Sequence, residues 1–202
     1  MKYRNKILNL FKNGYLTTKD VNDNNIPRFY LTKLIKEGKI ERVSRGIYIK
    51  KNDLVDEFVI LQSKSKNAIY SNMTALYLHG FSNRIPIKYN ITINNGYNGS
   101  LQKEKNVNLF YTKRELLELG VINYKLDSGN IIRVYDLDKT ICDIIKNKKK
   151  IDAEIFNKAI REYFYSRKKN TLKLYEYAKD IKFVDTINAI KAISKVIVPL
   201  GA

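Results

Sequence analysis

Asn24–Lys51 reads NNIPRFYLTKLIKEGKIERVSRGIYIKK, and its punctuation predicts a helix, a short link and a tight β-hairpin. Pro27 suits a first helical position, since its fixed φ is helical and its missing N–H loses no partner there. Leu31, Leu34 and Ile35 fall at the i, i+3, i+4 spacing of one buried face. Gly38 stands where a helix end needs φ > 0. Ile40–Val43 and Ile47–Ile49, split by Ser44-Arg45-Gly46, are β-rich runs about a turn.

Working outward, Thr17 and Asp20 have capping-box spacing at the start of a short helix. Tyr3, Ile7, Leu8, Leu10 and Phe11 recur at helical spacing, and Asn13-Gly14 stops that helix. Three short helices and a hairpin are the plan of a winged helix-turn-helix, in which the helix from Pro27 enters the major groove and the hairpin is the wing. With Leu31, Leu34 and Ile35 inward, Arg28, Thr32, Lys33 and Lys36 face outward. Arg pairs bidentately with guanine, Thr meets base edges or a thymine methyl, and Lys neutralises phosphate. Tyr30 either contacts DNA or packs. Arg42, Ser44 and Arg45 decorate the wing.

Charge supports that placement. The 202-residue chain carries a net charge of +18, a balance that favours polyanionic partners. Lys, Asn, Ile and Tyr are all encoded by A/T-rich codons, so part of the charge reflects coding bias. Arginine runs against that bias and is the better witness. Arg28, Arg42 and Arg45 all lie in the expected recognition helix and wing. Residues 1–52 hold 13 Lys+Arg against 4 Asp+Glu, half of the net charge in a quarter of the chain. The lone Cys142 excludes an intramolecular disulfide and fits a reducing cytoplasm. No apolar run is long enough to cross a membrane, and the N-terminus lacks the pattern of a signal peptide.

Past the wing, composition predicts a second domain over residues 53–202, after a DNA-binding domain at 1–52. Its expected order is a helix from Leu54 to Lys66, a strand at 68–70, a helix from Asn72 to His79 capped by Ser71, and a half-buried strand at 88–94. A strand at 107–111 and a short helix capped by Thr112 follow. A hairpin (121–126 and 131–135) and a helix capped by Asp136 come next. Helices at 152–165, 172–181 and 184–198 close the chain. The expected fold class is α+β: a winged helix-turn-helix, then a mixed α/β domain ending in a helical bundle.

Chemistry is hard to find. No P-loop is present, and Gly96-Tyr97-Asn98-Gly99-Ser100 reads as a plain turn. One histidine, His79, and one cysteine cannot make a zinc site. No catalytic residue, metal site or cofactor is assigned. Asp136 and Asp138 could evoke a metal-dependent nuclease with a winged-helix reader, which is the alternative reading. As a helix cap and a first-turn charge they need no catalysis. A third reading makes the basic module a protein-docking surface.

The sequence resembles the antitoxins of abortive-infection (AbiE-type, type IV) toxin–antitoxin systems. The resemblance rests on Tyr30-Leu31-x-x-Leu34-Ile35-x-x-Gly38-x-Ile40-x-Arg42-Val43-Ser44-Arg45-Gly46-Ile47-Tyr48. It continues through Ser71-Asn72-Met73-Thr74-Ala75-Leu76-Tyr77-Leu78-His79-Gly80 and Val134-Tyr135-Asp136-Leu137-Asp138-Lys139-Thr140-Ile141-Cys142-Asp143. It implies a bifunctional, non-enzymatic, cytoplasmic protein of phage defence. Its winged helix would bind inverted repeats in its own promoter. Its second domain would counteract a nucleotidyltransferase-like toxin without a stable complex. The second motif looks like a scaffold signature. One departure is lysine at many of the family's arginine positions.

Overall fold

The computed structural model describes residues 2–11, 14–53 and 56–181. The chain divides into two compact units, Met1–Lys66 with Tyr124–Ile132, and Asn67–Asn123 with Arg133–Ala202. The expected helix at 184–198 lies outside the described residues.

The first unit is a winged helix. Helices α1 (Lys2–Asn9), α2 (Thr18–Asp23) and α3 (Phe29–Lys36) precede strands β2 (Ile40–Ser44) and β3 (Ile47–Lys50). A strand missing from the sequence reading, β1 (Tyr15–Thr17), pairs antiparallel with β3 and completes a β1-β3-β2 sheet. Three residues are too few to show a period, so only the tertiary partner reveals them. Ile7, Leu16, Val21, Ile26, Leu31, Leu34 and Ile40 form the core, each such side chain contributing roughly 1.5–3 kcal/mol by leaving water.

The capping box at α2 is present in both directions. Asp20 N–H donates to Thr17 Oγ1 at 3.1 Å, and Thr17 N–H donates to Asp20 Oδ2 at 2.8 Å. Gly46 turns the wing at φ +78, and a Cβ there would meet Thr18 Oγ1 at 3.1 Å. Thr18 N–H donates to the Gly46 carbonyl at 2.8 Å, tying the wing turn to the start of α2. The β2–β3 register shifts between Arg42 and Ser44. That irregularity turns Val43 partly outward.

Two expectations for α3 need correction. The helix begins at Phe29, not Pro27; Arg28 is its N-cap and gives no side-chain cap. Ile35 is 38% exposed, whereas Leu31 and Leu34 are buried. The inward stripe is therefore narrower than the i, i+3, i+4 pattern implies. After the wing, α4 (Glu57–Ser63) is capped by Asp56, which accepts from Phe58 N–H at 3.2 Å. Val59 and Leu61 are buried; Leu54 and Val55 lie outside the described residues.

The second unit is built on a five-stranded mixed sheet. Its order is β6-β5-β4-β8-β7, from β4 (Ile69–Tyr70), β5 (Tyr89–Asn94), β6 (Val107–Thr112), β7 (Val121–Lys125) and β8 (Ile131–Tyr135). β5 runs antiparallel to β4 and parallel to β6. Its four central residues are all buried, so it is covered on both faces instead of half-buried. The tip of the β7–β8 hairpin, Tyr124–Ile132, clusters with the N-terminal unit.

Helices α5 (Asn72–Leu78), α6 (Leu137–Lys146), α7 (Ala153–Tyr165) and α8 (Thr171–Asp180) share a core that includes Leu76, Ile141, Ile144, Ile160 and Leu174. Asp136 caps α6 by accepting from Lys139 N–H at 2.8 Å, and Asp152 and Asn170 cap α7 and α8. Ser71 departs from expectation. It gives α5 no side-chain cap, and its Oγ accepts from Thr92 Oγ1 at 2.8 Å and Asn72 Nδ2 at 3.2 Å. Thr112 ends β6 and caps nothing; the short 3-10 turn at Arg114–Leu116 follows Lys113.

Candidate nucleic-acid interface

The candidate interface lies on α3 and the wing. Helical spacing puts Phe29, Thr32, Lys33 and Lys36 on one face of α3, and all four are exposed. Lys33 and Lys36 have no ion-pair partner among the described residues. Their charge is therefore presented to solvent without internal neutralisation. Arg28 sits exposed at the head of the helix, and its Nε donates to Asn22 Oδ1 at 3.0 Å. That bond steers the guanidinium while leaving its terminal nitrogens available.

Tyr30 is half-buried and packs on Tyr3, with ring centroids 5.1 Å apart. Of the two possibilities open in the sequence, packing accounts for its ring. Phe29 was absent from the sequence-based site, yet it is 69% exposed and meets Tyr30 edge-on at 5.8 Å. It shares the exposed face of Thr32, Lys33 and Lys36. The signal was there: Phe29 is off the Leu31–Leu34 stripe.

In the wing, Arg42 and Arg45 are exposed and Ser44 is half-buried. Arg42 Nε donates to the Ser44 carbonyl at 3.2 Å, bracing the hairpin. Arg4 is occupied differently, 3.6 Å from Glu37 at the end of α3. Being partly exposed, that pair adds little stability.

The second unit places its charges in the opposite manner. Asp136 Oδ2 accepts from Lys173 Nζ at 2.6 Å and from Tyr177 Oη at 2.7 Å. Asp138 is buried and not a simple first-turn charge: its Oδ1 accepts from Tyr163 Oη at 2.6 Å and Asn170 N–H at 2.8 Å. These carboxylates fasten α7 and α8 to α6. The Asp136 bond raises the Lys173 pKa, while burial first, then the Asp138 bond, raises that of Tyr163. Lys139 and Asp143 form a buried pair at 2.6 Å. No group of three or more His, Cys, Asp or Glu suited to a metal occurs among the described residues. The nuclease alternative thus finds its two carboxylates bound up in architecture. Cys142 is buried, and burial pushes its thiol up to about 12, the behaviour of an inert core thiol.

An exposed basic helix next to a β-hairpin, on a helix-turn-helix scaffold, defines a winged-helix architecture. Residues 5–49 match the model of the AbiEi antitoxin transcriptional regulators, the family the sequence resembles. Among solved structures, the crystal structure of the RV2827C protein from Mycobacterium tuberculosis is similar in fold. Its TM-score is 0.57 at 9% identity, covering 85% of this chain and 71% of that one. No curated protein sequence matches. Among the described residues, no helix is long and apolar enough to cross a membrane.

Proposed function

We propose that this protein is the antitoxin of an abortive-infection, type IV toxin–antitoxin operon and the autorepressor of that operon, with no catalytic activity or cofactor of its own. The observation that carries the reading is the unneutralised basic face of α3 within a segment that matches AbiEi regulators. Residues 1–52 bind double-stranded DNA at inverted repeats in the protein's own promoter. Arg28 and Thr32 read base edges, Lys33 and Lys36 neutralise phosphate, and Tyr30 braces the helix while lending its exposed edge. Arg42, Ser44 and Arg45 run along the backbone. Residues 53–202 counteract a nucleotidyltransferase-like toxin in the cytoplasm without a stable complex.

The test is titration of the full chain against its upstream DNA and against a scrambled duplex at two salt concentrations. The expected result is tight, salt-sensitive retention of the upstream fragment alone, lost in an Arg28→Ala/Arg45→Ala variant. Equal weak binding to both duplexes defeats the repressor half. Growth rescue from the neighbouring toxin tests the antitoxin half. It uses the full chain, because Tyr124–Ile132 clusters with the N-terminal residues and a cut after residue 52 would divide that unit.

A further inference from the structure

Within the second unit lies a cavity of about 650 Å³, inside the roughly 300–1,000 Å³ range of small-molecule sites. A neighbouring cavity of about 310 Å³ shares Asn72, Leu109, Phe110, Asn147 and Lys150 with it. The lining is mixed: apolar walls that include Met73, Leu109 and Ile151 carry a set of convergent amide and basic groups. Four carboxamides, Asn72, Asn90, Asn108 and Asn147, face the larger space. Arg84, Lys88 and Lys150 join them with no acidic residue. In the smaller one the only carboxylate, Asp143, is already paired with Lys139.

The carboxamides are held in place. Asn72 is buried at φ +46, donates to Ser71 Oγ, and accepts from Asn147 Nδ2 at 3.0 Å. Asn90 is only 6% exposed. Its Oδ1 receives Asn108 Nδ2 at 3.5 Å, but its own Nδ2 has no hydrogen-bond partner among the described residues. Among the described residues, every fully enclosed side-chain polar atom does have one. The Asn90 amide therefore keeps an outlet, and the cavity it lines supplies it. Phe110 offers a ring in the same wall, with Lys150 Nζ 6.0 Å from its centroid. At the rim, Ile85 and Ile87 are 70% and 96% exposed.

Carboxamides carry a donor and an acceptor side by side, the pattern that matches a nucleobase edge. An aromatic face stacks on a base, and Arg and Lys neutralise phosphate. We propose that this cavity binds a nucleoside phosphate, the base meeting Asn90, Asn108 and Phe110 and the phosphates meeting Arg84 and Lys150. The site belongs to neither α3 nor the wing, so it stands independently of operator binding.

Isothermal titration of the full chain with each of the four ribonucleoside triphosphates tests it, with inorganic triphosphate as the control. At least one nucleotide is expected to bind with Kd below about 1 mM. Arg84→Ala/Lys150→Ala, at exposed positions that leave folding intact, should weaken it about tenfold or more. Asn108→Ala should weaken it while leaving inorganic triphosphate unchanged. Lys33→Ala/Lys36→Ala should bind nucleotide as the parent does, whatever happens to its duplex binding. Absence of heat with all four nucleotides overturns the proposal. So does inorganic triphosphate binding as tightly as the best nucleotide, or undiminished affinity in the Arg84/Lys150 variant. A short single-stranded oligoribonucleotide separates the sources: tighter binding than any free nucleotide assigns the site to a strand, weaker binding to a free nucleotide.

Discussion

Helices α3 and α6 carry charge for opposite ends. In α3, five of eight residues are exposed, and Lys33 and Lys36 stand without ion-pair partners among the described residues. In α6, nine of ten residues are buried, among them Asp138, Lys139 and Asp143, and each is paired. A lysine costs little in water and waits for an anion there. Inside, it must bring its counterion or it destabilises the fold. The same residue types therefore spell a binding surface in one helix and a clasp in the other, and burial decides which.

The contrast breaks most visibly at Asp143. Asp143→Ala should cost about 3–5 kcal/mol, because it leaves the buried Lys139 ammonium uncompensated; a urea midpoint measures it. A loss within surface-mutation noise would mean that α6 is as solvated as α3. Next, Arg28→Ala should lose about 1–3 kcal/mol of discrimination between operator and scrambled duplex. Circular dichroism should show the fold intact.

Lys33→Ala/Lys36→Ala should change stability by no more than about 0.5 kcal/mol. It should make the slope of log affinity against log salt shallower by about 2, one unit per phosphate contact. An unchanged slope would put the DNA on another surface. Phe29→Ala should remove exposed apolar area without unfolding, and relax selectivity at a thymine in the operator. Equal affinity for every operator variant in parent and mutant would show that Phe29 makes no base contact.

The smallest expected effect concerns His79. Burial lowers its pKa, against the pull of the Tyr135 carbonyl and of Asp136 and Asp138, and Lys168 adds to the lowering. Its ring Nε2 is 2.8 Å from that carbonyl. The folded state thus refuses a proton that the unfolded imidazole takes near pH 6.5. Stability should fall as pH drops below about 6.5. His79→Gln, which keeps a donor for the carbonyl, should flatten that decline in melts between about pH 7 and 5. An identical decline in the variant would place the titrating group elsewhere.

Much of the winged helix was legible because its cues are local. The Thr17–Asp20 box, the Gly38 helix end, the Gly46 turn and the Leu31–Leu34 stripe each operate within a few residues. So does the Asp136 cap. Ile35 and Phe29 were harder. Ile35 fits the i, i+3, i+4 stripe yet is left partly outside, and Phe29, off the stripe, is the more exposed of the two. Only the width of the groove that receives α3 says which are left outside. β1 was invisible for a related reason: its three residues become a strand only when β3 lies beside them.

Sequence alone determined the order of the longer elements, the position of the positive charge and the Thr17–Asp20 and Asp136 caps, since these depend on neighbours one to four residues apart. Tertiary structure decided which charges are clasps and where a cavity opens. Asp138 meets Tyr163 across 25 residues, Asp136 meets Tyr177 across 41, and Asn147 meets Asn72 across 75. Whether a carboxylate or carboxamide is a surface group, a brace or a ligand contact depends on solvent access and on partners that distant segments bring. That information exists only once the chain has folded.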